Sequence, residues 1–240
     1  MRYTCIDKFV KNINNQCWFK VTLNIYWENN KKMKKESKIS KNKKLTSVKV
    51  KRLQEFNEIR QSLLEQGYKE KQLNVSILKA NFMVLITTAP VAVICYLLFL
   101  KIYGWGYRYT RLDIVFLFVV VVGIVVHELI HGITWSVFCE KKWRAIEFGM
   151  DWKTLTPYCF CGEGLAFKKY ALGCAMPTIV VGILPYIVGL ILGNYFLAMF
   201  GILHIVCGGG DAYILWLIRK AKNAIIIDHP YLVGCVAFEK

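Results

Sequence analysis

The longest uncharged run of the sequence limits the fold more than any other feature. Residues 171–210 form a stretch of forty positions without a single Asp, Glu, Lys or Arg. About 20 apolar residues cross the hydrocarbon core of a bilayer, so this run predicts two transmembrane helices with a break at Gly193-Asn194. Two further apolar runs raise the prediction to four spans, at about 80–100, 112–138, 171–192 and 195–218.

The distribution of charge predicts how such a protein would lie in a membrane. The net charge is +16, and residues 1–79 contain 19 Lys+Arg and 7 Asp+Glu, so that 19 − 7 = +12 precedes the first span. The positive-inside rule therefore places this end in the cytoplasm. With four spans, both termini are cytoplasmic, and the protein is expected to be a multi-pass protein of the cell membrane. Three basic residues in the predicted outer loop oppose this orientation mildly: Lys101, Arg108 and Arg111.

The first 79 residues are interpreted as a basic cytoplasmic extension with a small α+β fold. Alternating apolar residues predict one strand at 19–28, and SVKVKR at 47–52 suggests a second. Apolar spacing predicts a helix over 52–67, ending at Gly67. The segment 31–44 carries eight lysines, which suits anionic lipid headgroups. No aromatic residues alternate with these lysines, so a nucleic-acid partner is not expected.

The loop that follows the second span shows a strand pattern. Apolar residues alternate along 146–150 and again along 156–160, which predicts a short β-hairpin that turns near 151–154. Residues 165–172 read as a short amphipathic helix at the membrane interface. The predicted fold is therefore mostly α. It is a polytopic membrane protein with an extension at 1–79, a four-helix transmembrane core at 80–219 and a cytoplasmic tail at 220–240.

Three polar residues inside the second span carry the chemistry. His127, Glu128 and His131 form an HExxH motif, in which residues i and i+4 share one face of a helix. Both imidazoles can bind one zinc ion while Glu128 acts as general base toward a water molecule. An ionisable group at mid-bilayer costs about 3 kcal/mol on the lenient insertion scale. A bound cation compensates three such groups better than hydrogen bonds to neighbouring helices would.

A catalytic zinc site needs a third protein ligand, and the apolar second half offers two candidates. Asp211 follows three glycines and lies eight residues before Arg219, the basic end of its helix. His131 lies ten residues before Lys141, so the two side chains are expected at similar depth. Asp211 is therefore the predicted third ligand. His204 lies about two helical turns farther out; a packed, hydrogen-bonded histidine is its simpler interpretation, and a role near the metal is the alternative.

Two smaller polar clusters receive modest interpretations. Cys159 and Cys161 fit alternate positions of a strand better than a second metal site, because two thiols need further partners. Asp228-His229-Pro230 fits a turn or a helix cap better than ligation. The chain has nine cysteines, most of them in predicted spans or cytoplasmic segments, where thiols stay reduced.

Four short motifs in order, HELIHG, TPYCFC, GGGDA and DHP, resemble a bacterial family of membrane zincin peptidases that is catalogued as a domain of unknown function. The resemblance covers about 65–235, and the helix-borne HExxH with a later Asp is also similar to the site-2 class of intramembrane proteases. It implies zinc at His127 and His131, with Glu128 as catalytic base. The longer motif with Asn, Pro and Leu-Asp-Gly of the site-2 class is absent, and only Gly-Gly-Gly-Asp remains.

The sequence thus predicts a zinc metallopeptidase that hydrolyses a peptide bond in or near a transmembrane segment of a membrane protein. Its partners would be that substrate and the lipid bilayer, while the oligomeric state stays open. One alternative is a non-enzymatic membrane protein with a structural metal site or a partner-binding role. Another is a zinc hydrolase that acts on a lipid or another amide, because HExxH activates water without naming the substrate.

Overall fold

The computed structural model describes residues 47–104, 113–152, 156–230 and 232–240, and Lys51–Lys240 forms one compact unit. These residues are mostly helical. The helices are α1 (Ser47–Glu65), α2 (Ile77–Tyr103), α3 (Asp113–Phe138), α4 (Phe167–Pro177), α5 (Leu184–Leu192), α6 (Tyr195–Cys207) and α7 (Gly209–Ile218). The strands are β1 (Lys69–Val75), β2 (Ile146–Asp151), β3 (Thr156–Cys161), β4 (Leu165–Ala166), β5 (Ile225–Asp228) and β6 (Val233–Glu239). A 3-10 turn at Lys142–Ala145 precedes β2.

Three of the helical segments are long and apolar enough to cross a membrane. They are Lys79–Tyr103, Ile114–Phe138 and Phe167–Leu192, the last being α4 and α5 joined by a π-helical stretch at Thr178–Ile183. Helices α6 and α7 form a bent pair with an angle of 43° and make a fourth span only if they cross together. The predicted apolar segments are therefore helical, and the count of four spans stays a prediction.

The break between α5 and α6 lies at the predicted Gly193-Asn194. Gly193 has a left-handed backbone with φ of 64°, a conformation that glycine adopts without steric cost. The Asn194 side chain caps α6 by accepting a hydrogen bond from the Leu197 N–H at 3.0 Å. A tight turn between two antiparallel helices follows from these two residues.

A four-stranded antiparallel sheet, in the order β1-β6-β5-β4, packs beside the helices. Residues of α1, including Phe56 and Leu63, cover one part of it together with Ile227, Val236 and Phe238. Another part belongs to a core that joins the sheet to α3 and α4 through Trp135, Tyr170, Ile226, Cys235 and others. Residues near the start of the described chain thus pair with residues 233–239, which the sequence had placed in a tail.

Two local predictions are wrong. SVKVKR is not a strand, because α1 begins at Ser47 and continues through it. Residues 165–172 are not a separate interfacial helix, because β4 takes Leu165–Ala166 and Phe167 starts the long helix that continues to Leu192. The predicted strand at 19–28, the lysine segment 31–44 and most of the outer loop lie outside the described residues.

The predicted hairpin is present. Strands β2 and β3 pair antiparallel, with Ile146 opposite Cys161, Phe148 opposite Cys159 and Asp151 opposite Thr156. Part of its turn, residues 153–155, lies outside the described residues. The hairpin packs on α3 at Gly132, where an added Cβ would overlap the Phe148 ring and lie 3.0 Å from Ile146. The glycine of HELIHG therefore lets the hairpin approach the HExxH helix closely.

Candidate metal centre

The structure brings His127, His131 and Asp211 together. Their ligand atoms all lie within 4.8 Å of one another. The Asp211 carboxylate faces both rings, with Oδ2 at 3.0 Å from His127 Nε2 and Oδ1 at 3.3 Å from His131 Nε2. Both histidines are buried and Asp211 is partly buried. Among the described residues this is the one group of three or more His, Cys, Asp or Glu side chains that could hold a metal ion.

The glycines before Asp211 explain how its helix reaches the histidines. An added Cβ on Gly208 would overlap Thr178, and one on Gly209 would overlap Thr88 and Val84 of α2. The chain therefore bends at a point where two neighbouring segments press against it. Asp211 lies in the first turn of α7, where the free N–H groups and the helix dipole favour a carboxylate.

A hydrogen bond on the side away from Asp211 fixes the orientation of the His131 ring. Its Nδ1 lies 2.9 Å from the Gly173 carbonyl oxygen, and only a protonated Nδ1 can donate to a carbonyl. This leaves the lone pair of Nε2 free on the side of Asp211. Metal-ligating histidines commonly donate their second ring nitrogen to a carbonyl in this way. Two Nε2 atoms and a carboxylate form a donor set that suits zinc.

Glu128 lies between the two histidines in sequence and faces the hairpin. Its carboxylate lies on the side of β3 that carries the backbone N–H of Cys159, close enough to interact with that N–H. The side chain is partly exposed and lies close enough to His127, His131 and Asp211 to interact with their charges. Glu128 is therefore beside the cluster and not one of its three converging ligands.

His204 lies outside the cluster. Its Nδ1 donates to the Phe200 carbonyl oxygen at 2.9 Å, and its ring lies 4.1 Å from the Phe200 ring by their centroids. An added Cβ on Gly123, one turn before His127, would overlap the His204 ring. The structure thus agrees with the simpler interpretation of a packed, hydrogen-bonded histidine.

The cysteines of TPYCFC occupy alternate positions of β3, as the pattern indicated. Cys161 is buried, and its Sγ lies 3.5 Å from Cys139 Sγ at the end of α3. Burial raises the pKa of the Cys159 thiol, and the Cys139 contact together with burial raises that of Cys161. All cysteines of the described residues are free thiols, and the raised pKa values keep these two protonated and weakly reactive.

Asp228 has a larger role than the sequence indicated. The DHP segment does lead into the turn between β5 and β6: Asp228 ends β5, and the His229 N–H donates to the Gly234 oxygen at 3.1 Å. The Asp228 side chain, however, is buried, accepts the Cys161 N–H at 2.8 Å and receives the Tyr170 hydroxyl. Burial raises its pKa to about 6 against these bonds. In the sequence, the position of Asp228 between two apolar runs was the signal that its carboxylate is buried.

Two histidines and a carboxylate converge on one point, with a glutamate beside the first histidine, and this group could hold a zinc ion. In agreement, residues 120–226 match the model of a family described as "Putative zincin peptidase". The matched segment contains all four predicted site residues and supports a metallopeptidase that uses zinc. No curated protein and no solved structure matches the chain.

Proposed function

We propose that this protein is a membrane-embedded zinc metalloprotease that cleaves a peptide bond in or near a transmembrane segment of a membrane protein. The observation that carries the proposal is the convergence of His127, His131 and Asp211, with ligand atoms within 4.8 Å of one another, where both histidines lie in a helix apolar enough to cross a membrane. The family match over residues 120–226 supports the same class of reaction.

His127, His131 and Asp211 would hold the zinc ion. When bound, zinc lowers the pKa of a water molecule and polarises the scissile carbonyl. The carboxylate of Asp211 offsets part of the positive charge in a region with little water, where unpaired charge is costly. The bond from His131 Nδ1 to Gly173 keeps that ring in the tautomer and orientation that ligation requires.

Glu128 acts as the general base. It takes a proton from the attacking water and delivers it to the nitrogen of the leaving amine, so that one carboxylate serves both halves of the hydrolysis. The neighbouring Cys159 N–H favours the charged carboxylate on the side of the hairpin. The position beside the ligands, and not among them, suits a group that exchanges protons.

The hairpin would hold the substrate in an extended form, since a helical segment must unwind before it is cut. Cys161 N–H points away from β2, because it donates to Asp228. Cys159 lies two residues before Cys161 on the same strand, so its N–H points the same way. In an antiparallel pair, two opposite residues either both bond to each other or both point away from each other. The backbone groups of Phe148, opposite Cys159, therefore point outward from the other edge of the hairpin. We propose that this β2 edge pairs with the substrate backbone.

The bilayer is the proposed surrounding of the helices. Side chains such as Ile114, Phe118 and Ile191 are apolar and exposed, which suits contact with lipid tails and not with water. The multi-pass arrangement with both termini in the cytoplasm follows from charge and is part of the same proposal. The metal centre would then lie in the cytoplasmic half of the membrane.

The first test is metal content, measured by mass spectrometry on detergent-purified protein. One zinc per chain is expected in the wild type and in Glu128→Gln, and none in His127→Ala or Asp211→Ala. His204→Ala is the matched control, because it removes a buried histidine outside the cluster and is expected to keep its zinc. A wild type that takes up no zinc when zinc is offered would overturn the proposal.

The second test concerns the reaction. Glu128→Gln keeps the ligands but removes the base, so it is expected to bind substrate without cutting it. Membrane proteins that co-purify with Glu128→Gln, and accumulate as uncut chains relative to the wild type, would be the substrates. Loss of a general base lowers the rate by about 10²- to 10⁴-fold. Full cleavage by Glu128→Gln would contradict the mechanism.

A further inference from the structure

The buried carboxylate of Asp228 contacts two separate parts of the molecule. Its Oδ2 accepts the backbone N–H of Cys161 on β3 at 2.8 Å, and its Oδ1 receives the hydroxyl of Tyr170 on α4. Asp228 itself ends β5 of the sheet. One side chain therefore ties together the hairpin, the long apolar helix and the sheet.

The first of these bonds leads to Glu128. Cys159 and Cys161 are two residues apart on one strand, so their N–H groups point to the same side. The Cys161 N–H donates to Asp228, and the Cys159 N–H, on the same side of the strand, points toward Glu128 and lies close enough to interact with its carboxylate. Fixing the position of Cys161 consequently fixes the position of the Cys159 N–H beside Glu128.

The second bond leads to His131. The Tyr170 carbonyl accepts the Trp135 Nε1–H at 3.1 Å, and the Trp135 ring stacks between Tyr170 and His131 at centroid distances of 5.4 and 5.0 Å. Gly173 lies one turn farther along the helix and accepts the His131 Nδ1–H. An added Cβ on Gly173 would overlap the Trp135 indole. The indole therefore packs tightly against Gly173 and has little room to shift.

We propose that Asp228 is a positioning residue of the metal centre, which holds Glu128 through β3 and His131 through Tyr170 and Trp135. The inference rests on the proposed function, because positioning matters only if His131 binds the ion. It gives the DHP motif a role that a surface turn would not need. The side-chain hydrogen bonds of Asp228 go to Cys161 and Tyr170, and none goes to a predicted metal ligand or to Glu128, so its positioning effect passes through the strand and the helix.

The test measures zinc affinity by competition with a chromophoric chelator, using the full chain in detergent. Asp228→Ala and Tyr170→Phe are each expected to weaken zinc binding by about 10-fold, at the low end of what partners beyond the ligands contribute. Asp228→Asn keeps an acceptor for Cys161 and a polar group for Tyr170. It is expected to stay within about 3-fold of the wild type, less than one lost hydrogen bond.

Tyr186→Phe is the matched control for Tyr170→Phe. Both tyrosines lie on the same continuous helix, and Tyr186 donates its hydroxyl to the Cys95 carbonyl at 2.9 Å, away from Asp228. Its loss is expected to leave zinc affinity unchanged. Melting of the zinc-free proteins separates stability from positioning, since a merely structural bond would lower the melting temperature without changing the zinc affinity of the folded molecules.

The outcomes distinguish this inference from the proposed function. If Asp211→Ala loses zinc while Asp228→Ala binds it as the wild type does, the metal site stands and the positioning role is wrong. Equal weakening by Tyr170→Phe and Tyr186→Phe would also overturn it, as would an Asp228→Asn as weak as Asp228→Ala. A wild type without zinc would overturn both proposals.

Discussion

The sheet of this protein buries its apolar side chains, whereas the long apolar helices leave many of theirs exposed. In the sheet, Phe238 and Val236 are 0% exposed, whereas Phe118 of α3 is 66% exposed and Ile114 is 85% exposed. The helices keep polar groups inside instead, with His127 and His131 at 5% and 4% exposure. The sheet has the pattern of a protein in water, and the helices have the pattern of a protein whose surroundings are themselves apolar.

The difference implies different sources of stability. Burial of apolar area drives the sheet together, but it cannot drive helices together where the solvent is lipid. There, close packing at small residues takes over. An added Cβ on Gly189 would overlap the backbone of Ala198, and one on Gly201 would overlap that of Tyr186. Helices α5 and α6 thus approach each other backbone to backbone.

The sharpest test of this comparison replaces one phenylalanine in each region. Phe238→Ala is expected to destabilise the protein by about 3–5 kcal/mol, because it leaves a cavity in a closed core. Phe118→Ala should cost less than about 1 kcal/mol in lipid, because lipid tails fill the space. Unfolding by denaturant in bilayer discs measures both. Equal losses would mean that α3 faces protein or water and not lipid.

The sheet also buries the carboxyl group of Asp228, and the dependence of stability on pH measures the effect of that burial. Burial raises the pKa of Asp228 to about 6 in the folded protein, above its ordinary value of 3.8. The folded state therefore binds the Asp228 proton more tightly than the unfolded chain does. The stability that this proton contributes is fully present below pH 4 and is lost as the pH rises toward 6. Two pKa units correspond to about 3 kcal/mol.

Melting curves of the wild type and Asp228→Asn between pH 4 and pH 7 measure this contribution by difference. The wild type should lose stability relative to the variant as the pH rises, since asparagine does not titrate. Parallel curves across that range would show that the carboxyl group is solvated and not buried as described.

A pair of glycines tests packing around the metal centre. Gly173→Ala is expected to destabilise the protein by about 1–3 kcal/mol, because the new methyl group overlaps Trp135. Gly210→Ala is the control, since an added Cβ there meets nothing within 4 Å. It should be neutral or stabilise α7 by up to about 1 kcal/mol, as alanine does in a helix. Thermal melting ranks the two variants, and the opposite ranking would contradict the described contact.

The smallest expected effect concerns the contact of α1 with the hairpin. Arg52 is buried, pairs with Glu147 at 2.5 Å, and lies over the Phe160 ring at 4.5 Å from its centroid. Arg52→Ala should cost about 1–2 kcal/mol through the lost ion pair and cation–π contact. Its neighbour Lys51 is paired with Glu55 on the surface, so Lys51→Ala should change melting by less than about 0.5 kcal/mol. Similar losses in both would show that Arg52 is solvated.

Sequence reasoning succeeded where one segment carries its own signal. The apolar helices, the break at Gly193-Asn194 and the β2–β3 hairpin each follow from a local pattern. Asp211 was found by counting its distance from the basic end of a helix, which is a depth argument. The structure brings it beside the histidines, while its role as a ligand stays a prediction.

The sheet was missed because its strands give weak or distant signals. β1 has the sequence KEKQLNV, without apolar alternation, and it pairs with Val233–Glu239 at the other end of the described chain. SVKVKR alternates over too few residues to separate a strand from the start of a helix. The runs before and after DHP did carry a hairpin signal, but a basic segment at 219–222 favoured a simple tail.

The sequence separation between the site residues also determines the order and the interval in which they are synthesised. His127 and Asp211 are 84 residues apart, so at about 5–20 residues per second the histidines leave the ribosome about 4–17 seconds before their carboxylate partner. Asp228 follows later, and its β5 pairs with a strand made later still. In the proposed membrane setting, a nascent chain would carry HExxH into the bilayer well before the groups around it exist. Under the proposed function, cutting would begin only once the helices and the sheet are both complete, and an unfinished molecule would leave the membrane proteins around it intact.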